Sequence, residues 1–146
     1  MKKASIKIVT GVFAVIIFLF SGCQTSYNVK TDASEQLKSD ITAMSSLINS
    51  IDITLSGPPD LDIYVHVDGY PSDQAPGALL DRVKTFTTVK NLDEIAIKYG
   101  WGGHIQRVNF SISYKDSSID YSTGYFERYD ASDGSTSFTG AYEIWR

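Results

Sequence analysis

Cysteine is nearly absent from this sequence: the 146 residues contain one, Cys23. A lone cysteine excludes an intramolecular disulfide. Histidine is scarce too, with His66 and His104 falling on separate predicted elements. A zinc site would need both beside a carboxylate such as Asp62 or Asp68, and their spacing matches no metal motif. Catalytic signatures are missing, with no G-x-S-x-G and no H-E-x-x-H. The glycines of Tyr99-Gly100-Trp101-Gly102-Gly103-His104 form no phosphate loop: Ile105 stands where G-x-G-x-x-G needs its last glycine, and no Lys-Ser/Thr pair follows. Nor do the acids form a calcium loop. Setting Gly134 or Gly69 at the sixth position puts Tyr129 or Tyr64 first, where Asp is required. These absences lead to the expectation of a non-enzyme with no metal and no cofactor. Carboxylates that pair only in space stay open as an alternative.

Positive charge is outnumbered through most of the chain. Lys2, Lys3 and Lys7 belong to the first 22 residues, which have no acid; residues 23–146 hold 10 basic and 17 acidic residues. Such an acidic domain is unsuited to neutralising phosphates, so nucleic acid is not an expected partner. An anionic membrane surface would repel it as a whole. The apolar fraction is 42%, enough for a packed core, and the length suits a single domain.

Long apolar runs are also lacking, with one exception. Met1–Lys7 is basic, and Ile8–Phe20 is apolar apart from Thr10 and Gly11. Ser21-Gly22-Cys23 follows, then polar residues from Gln24. This is the layout of a signal peptide, and the run is short of the roughly 20 residues that span a bilayer. Phe20-Ser21-Gly22-Cys23 resembles the lipobox of bacterial lipoproteins, with Phe20 where that family usually has Leu. The resemblance covers residues 1–23. It implies that the signal is removed and that Cys23 becomes an acylated first residue, leaving no free thiol. Two or three acyl chains would anchor the protein stably, at roughly 0.8 kcal/mol per buried methylene. The implied location is extracytoplasmic, on the outer face of the inner membrane or on the outer membrane. Gln24 is not the Asp that retains such proteins at the inner membrane. The expected layout is a signal peptide over 1–22, lipidated Cys23 with a short tether over 23–31, and one domain over 32–146.

Within the domain, Asp32 with Glu35 three residues on predicts a helix start. Leu37, Ile41, Met44 and Ile48 then mark one face of a helix over 33–48. Ile51, Ile53 and Leu55 alternate with polar residues, as do Leu61, Ile63, Val65 and Val67, predicting a hairpin around Gly57-Pro58-Pro59. Pro76 and the face Leu79, Leu80, Val83 and Phe86 predict a helix over 76–88. Asn91 as cap, Ile95, Tyr99 and Gly100 predict a short helix over 92–99.

The last third is β-like. Strands are predicted over 107–115 and over 119–129, the latter bulged at Gly124, with a final strand through Phe138, Gly140, Tyr142 and Ile144. Asp133-Gly134 marks the turn between the last two. The expected fold is α+β: a five-stranded, mainly antiparallel sheet, two or three helices on one face, and a C-terminal three-stranded meander.

Residues 99–146 hold 11 aromatics in 48 residues. Phe110, Tyr114, Phe138 and Tyr142 fall on predicted inward faces. Tyr121, Tyr125 and Tyr129 share one side of their strand, and Trp145 ends the last one. Tyrosine gives large contact area at low entropy cost, so this side is a candidate recognition surface; the alternative is ordinary cross-strand pairing. Trp101 and His104 in the glycine-rich string are a candidate binding loop, or a helix stop with Trp101 covering the core edge. Asp60, Asp62 and Asp68 read as strand-end decoration. The expected function is binding, to an envelope protein or to a glycan or small molecule, with a carboxylate hydrolase as the remaining alternative.

Overall fold

The computed structural model describes residues 26–57, 59–69, 72–130 and 137–146. The signal segment 1–22, Cys23 and the Asp133-Gly134 turn lie outside the described residues, as do the side chains of Tyr129 and Phe138. The elements are β1 (Tyr27–Asn28), α1 (Asp32–Met44), β2 (Ile48–Ser56), β3 (Asp60–Val67), α2 (Ala75–Phe86), α3 (Val89–Lys98), β4 (Arg107–Tyr114), β5 (Ser117–Gly124), β6 (Phe126–Asp130) and β7 (Ser137–Ala141).

Five strands form one sheet in the order β1-β2-β3-β4-β5. Its pairs are antiparallel except β3 with β4. That pair is parallel because the chain between them crosses over through α2 and α3. The inward phase of each strand is apolar: Ile53 and Leu55, then Leu61, Ile63, Val65 and Val67, then Val108, Phe110 and Ile112. The helices bury Leu37 and Ile41, Leu79, Val83 and Phe86, and Leu92, Ile95 and Ala96 in the same cluster. All three therefore cover one face of the sheet, and the fold is α+β.

Helix boundaries differ from the sequence expectation through their caps. Thr31, not Asp32, caps α1: its hydroxyl accepts from the Ser34 amide at 3.2 Å, and Ser34 Oγ accepts from the Thr31 amide at 2.8 Å. Ser34 takes the reciprocal role expected of Glu35; Asp32 and Glu35 instead face the positive end of the helix dipole. The helix ends at Met44 rather than 48, because Ser45 turns extended and Ile48 pairs with Val67. Thr88, not Asn91, caps α3, and the Asn91 side chain donates to the Phe86 carbonyl at 2.8 Å.

Within the expected tether over 23–31, residues 27–31 belong to the fold instead. Tyr27 pairs with Leu55 and Asn28 with Thr54. The Val29 amide donates to the Ile53 carbonyl at 2.8 Å, and the Val29 side chain is fully buried. Two paired residues are too few to show alternation, which is why the segment reads as polar linker.

The C-terminal legs alternate in direction, but two sheets share them. β4 and β5 pair antiparallel around Lys115-Asp116. The expected bulge at Gly124 is where the chain leaves this sheet, with Tyr125 separating β5 from β6. β6 and β7 form a separate two-stranded sheet, so β1 takes the fifth place expected for the last strand. Arg146 then exchanges two backbone hydrogen bonds of 3.0 Å with Ser122 on β5.

Candidate functional site

Most of the predicted aromatic site is drawn to the margin of the core. The Trp101 amide donates to the Ala96 carbonyl at 2.8 Å, and Gly100, at φ +76°, donates to Ile97. Together they close α3 as a glycine-dependent helix stop. Trp101 and Trp145 are half-buried against the core. Tyr121 faces the helix side and stacks on Phe110 with ring centroids 5.9 Å apart.

His104 and Tyr125 do come together, at a ring separation of 4.2 Å with near-parallel planes. His104 Nδ1 lies 2.7 Å from Asp93 Oδ1, and Tyr142 meets Tyr125 edge-on at 5.7 Å. The Tyr142 hydroxyl donates to the Ile105 carbonyl at 2.6 Å. Burial, and then the Asp93 charge, push this phenol well above its ordinary range. The sign follows directly. A raised folded-state pKa favours the neutral phenol, so its contribution is complete below the unfolded value, about 10. It is lost as pH climbs from there toward the folded value. Alkaline titration of thermal unfolding should therefore show stability falling above about pH 10, and Tyr142→Phe should flatten that fall.

The other histidine is held separately. Ser113 Oγ lies 2.5 Å from His66 Nδ1, and Asp52 lies 4.0 Å from its Nε2. Among the described residues, no three His, Cys, Asp or Glu side chains cluster as a group that could hold a metal.

The second face of the sheet carries the more extensive array. Asp62, Tyr64 and His66 of β3, Asn109, Ser111 and Ser113 of β4, and Ser118, Asp120 and Ser122 of β5 occupy the outward phase. Asn109 donates to Asp62 at 2.7 Å, and the Ser56 hydroxyl donates to the same carboxylate. Asp120 accepts from Ser111 at 2.6 Å and from Ser118 at 2.8 Å, which holds its carboxyl below the ordinary range. Tyr64 is 40% exposed. Burial, then Asp62 and Asp120, raise its hydroxyl above the ordinary range. A shallow depression of about 380 Å³ is lined by Asp62, Tyr64, Asn109, Ser111, Asp120 and Arg146, among others. At its margin Asp60 is raised, mainly by burial, against the opposing pull of Arg107 with a nitrogen 3.7 Å away.

This array corrects the reading of Asp62 as strand-end decoration: it sits inside a hydrogen-bonded face. The available signal was the polar phase of the same alternation that marked the core. A second concavity, of about 450 Å³, lies between the end of α1 and the start of α2, with Met44, Leu47, Ile48, Val67 and Leu79 in its wall.

The fold and this face define an α+β domain with one helix-covered and one polar sheet surface. No protein-family model, no curated protein and no solved structure matches the chain.

Proposed function

We propose that the protein is a lipid-anchored binding module of the bacterial cell envelope, without catalytic activity, that engages a partner protein through its open sheet face. One observation carries the recognition part: a half-exposed Tyr64 stands among carboxylates whose positions are already held by Asn109, Ser56, Ser111 and Ser118. Such groups lose little freedom on binding, which lowers the ordering cost of association. Asp52, Asp62 and Asp120 offer acceptors, so the complementary partner surface presents Lys, Arg or hydroxyl donors. The anchor part rests on the basic start, the apolar run Ile8–Phe20 and Cys23.

The test is a photo-reactive amino acid in place of Tyr64, expressed in the full chain in its native envelope. The expected outcome is one discrete protein adduct, lost when Asp62→Asn and Asp120→Asn are combined. An adduct insensitive to that pair would overturn the surface. A polydisperse carbohydrate adduct would replace the protein partner with a glycan.

A further inference from the structure

The end of the domain where the chain enters has a composition unlike the rest. Tyr27 is 43% exposed, and its ring lies 5.9 Å from that of Tyr99. The Tyr99 hydroxyl donates to the Asn28 carbonyl at 2.7 Å and accepts from the Lys30 amide at 3.0 Å. The Lys98 ammonium donates to the Lys30 carbonyl. These contacts hold the C-terminal end of α3 against the entering strand. Beside Lys98 stands Ile97, which at 77% is the most exposed of the large apolar side chains among the described residues. Neither Lys30 nor Lys98 has an ion-pair partner among the described residues.

Two tyrosines, an isoleucine and two lysines at one end are the side-chain types that settle at a bilayer interface. Tyrosine rings lie at headgroup level, lysine stems reach the phosphates, and the aliphatic group enters the acyl boundary. The length of chain outside the fold says what lies opposite. Only Gln24, Thr25 and Ser26 separate Cys23 from Tyr27. Four Cα steps reach no more than about 14 Å. An anchor at Cys23 therefore brings this end within range of the headgroups.

We infer that the Tyr27–Ile97–Lys98–Tyr99 end of the domain docks on the phospholipid surface that holds the anchor. The inference rests on the anchor reading given above. It also meets the acidity of the domain: bulk charge repels an anionic surface, and Lys30 and Lys98, which join no ion pair among the described residues, lessen that repulsion at this end. Strand register sets the outcome for the rest of the molecule. Leu55, Leu61 and Val108 mark the docked end of the sheet, while Ile48, Val67, Tyr114 and the Lys115-Asp116 turn mark the far end. The sheet then stands away from the bilayer, and the Tyr64 face is open from the side.

The test uses the full acylated protein in vesicles of phosphatidylethanolamine and phosphatidylglycerol. Acylation consumes Cys23, so Ile97→Cys or Asp116→Cys supplies a single thiol for an environment-sensitive fluorophore. Lipids spin-labelled in the headgroup region serve as quenchers. The expected result is a blue shift and loss of emission at position 97, with neither at position 116. Intact mass reads the anchor separately. Acylated protein with equal quenching at both positions overturns the docking and leaves the anchor standing. An unacylated Cys23 overturns both.

Discussion

Replacing Phe110 with Ala should lower the free energy of unfolding by about 3–5 kcal/mol, the usual cost of deleting a buried ring. Phe110 is completely buried at the middle of β4. It pairs across the sheet with Ile63 on one side and with Tyr121 on the other, and stacks on the Tyr121 ring. Both neighbours are backbone-paired in the sheet, so the site cannot collapse readily onto the space left. Against a typical domain stability of about 5–15 kcal/mol, the loss brings the protein close to its unfolding threshold. Urea denaturation followed by Trp fluorescence measures it. A loss below about 1 kcal/mol, the centre of the range for ordinary substitutions, would show that Phe110 is not central to the core.

Val29→Asp should cost several kcal/mol, because it places a carboxylate without a partner in a fully buried position. The same change in a solvated tether would cost nothing. Ser26→Asp is the control: Ser26 is exposed and precedes β1, and its substitution should leave the unfolding midpoint in place. Equal midpoints for both variants would return residues 27–31 to the role of a linker. The effect of Val29→Asp should also be cooperative, lowering the whole transition. Val29 joins the strand that pairs with Leu55 and Thr54 to the cap that starts α1, and Ser34 Oγ donates to the Thr31 carbonyl beneath it at 2.9 Å.

Much of the fold is legible because burial follows period. In β3 the apolar phase Leu61, Ile63, Val65 and Val67 is the buried phase, and α2 buries Leu79, Val83 and Phe86 as its spacing predicts. Caps are legible only as residue types: Thr31 and Asp32 are adjacent N-cap candidates, intrinsic preference favours Asp, and the reciprocal bond with Ser34 selects Thr31. β1 has two residues and no period to detect. The crossing between β3 and β4 is a tertiary choice made by where α2 and α3 pack. Ile48 fits a helical spacing with Met44 and also a strand alternation toward Ile51, and pairing with Val67 decides between them.

The candidate site was less legible, for a different reason. Alternation divides each strand into two phases but does not say whether anything covers the polar one. Asp62, Tyr64, Asn109 and Asp120 gain their relationship only when β3, β4 and β5 align in register. The aromatic density of the last third does not separate Trp101, Tyr121 and Trp145, which pack at the core margin, from surface rings, because large rings serve core and surface alike. His104, in the glycine-rich loop, and Tyr125, on the tyrosine-bearing strand, meet only in the fold, and their partner Asp93 belongs to α3, 11 residues from His104.

The shortness of β1 has a consequence for life at high density. It covers β2 at Thr54 and Leu55, and Val29 adds one bond to Ile53, so the outer edge of residues 48–52 pairs with no strand among the described residues. A bare edge invites another copy to zip alongside and begin a fibre. Here the strand is irregular between Ile48 and Ser50, and Asn49, Ser50 and Asp52 are exposed along it. A kinked edge with a carboxylate meets its own image poorly, in shape and in charge. Under the proposed anchor, molecules would share a plane where encounters are frequent, and this edge would discourage their self-association.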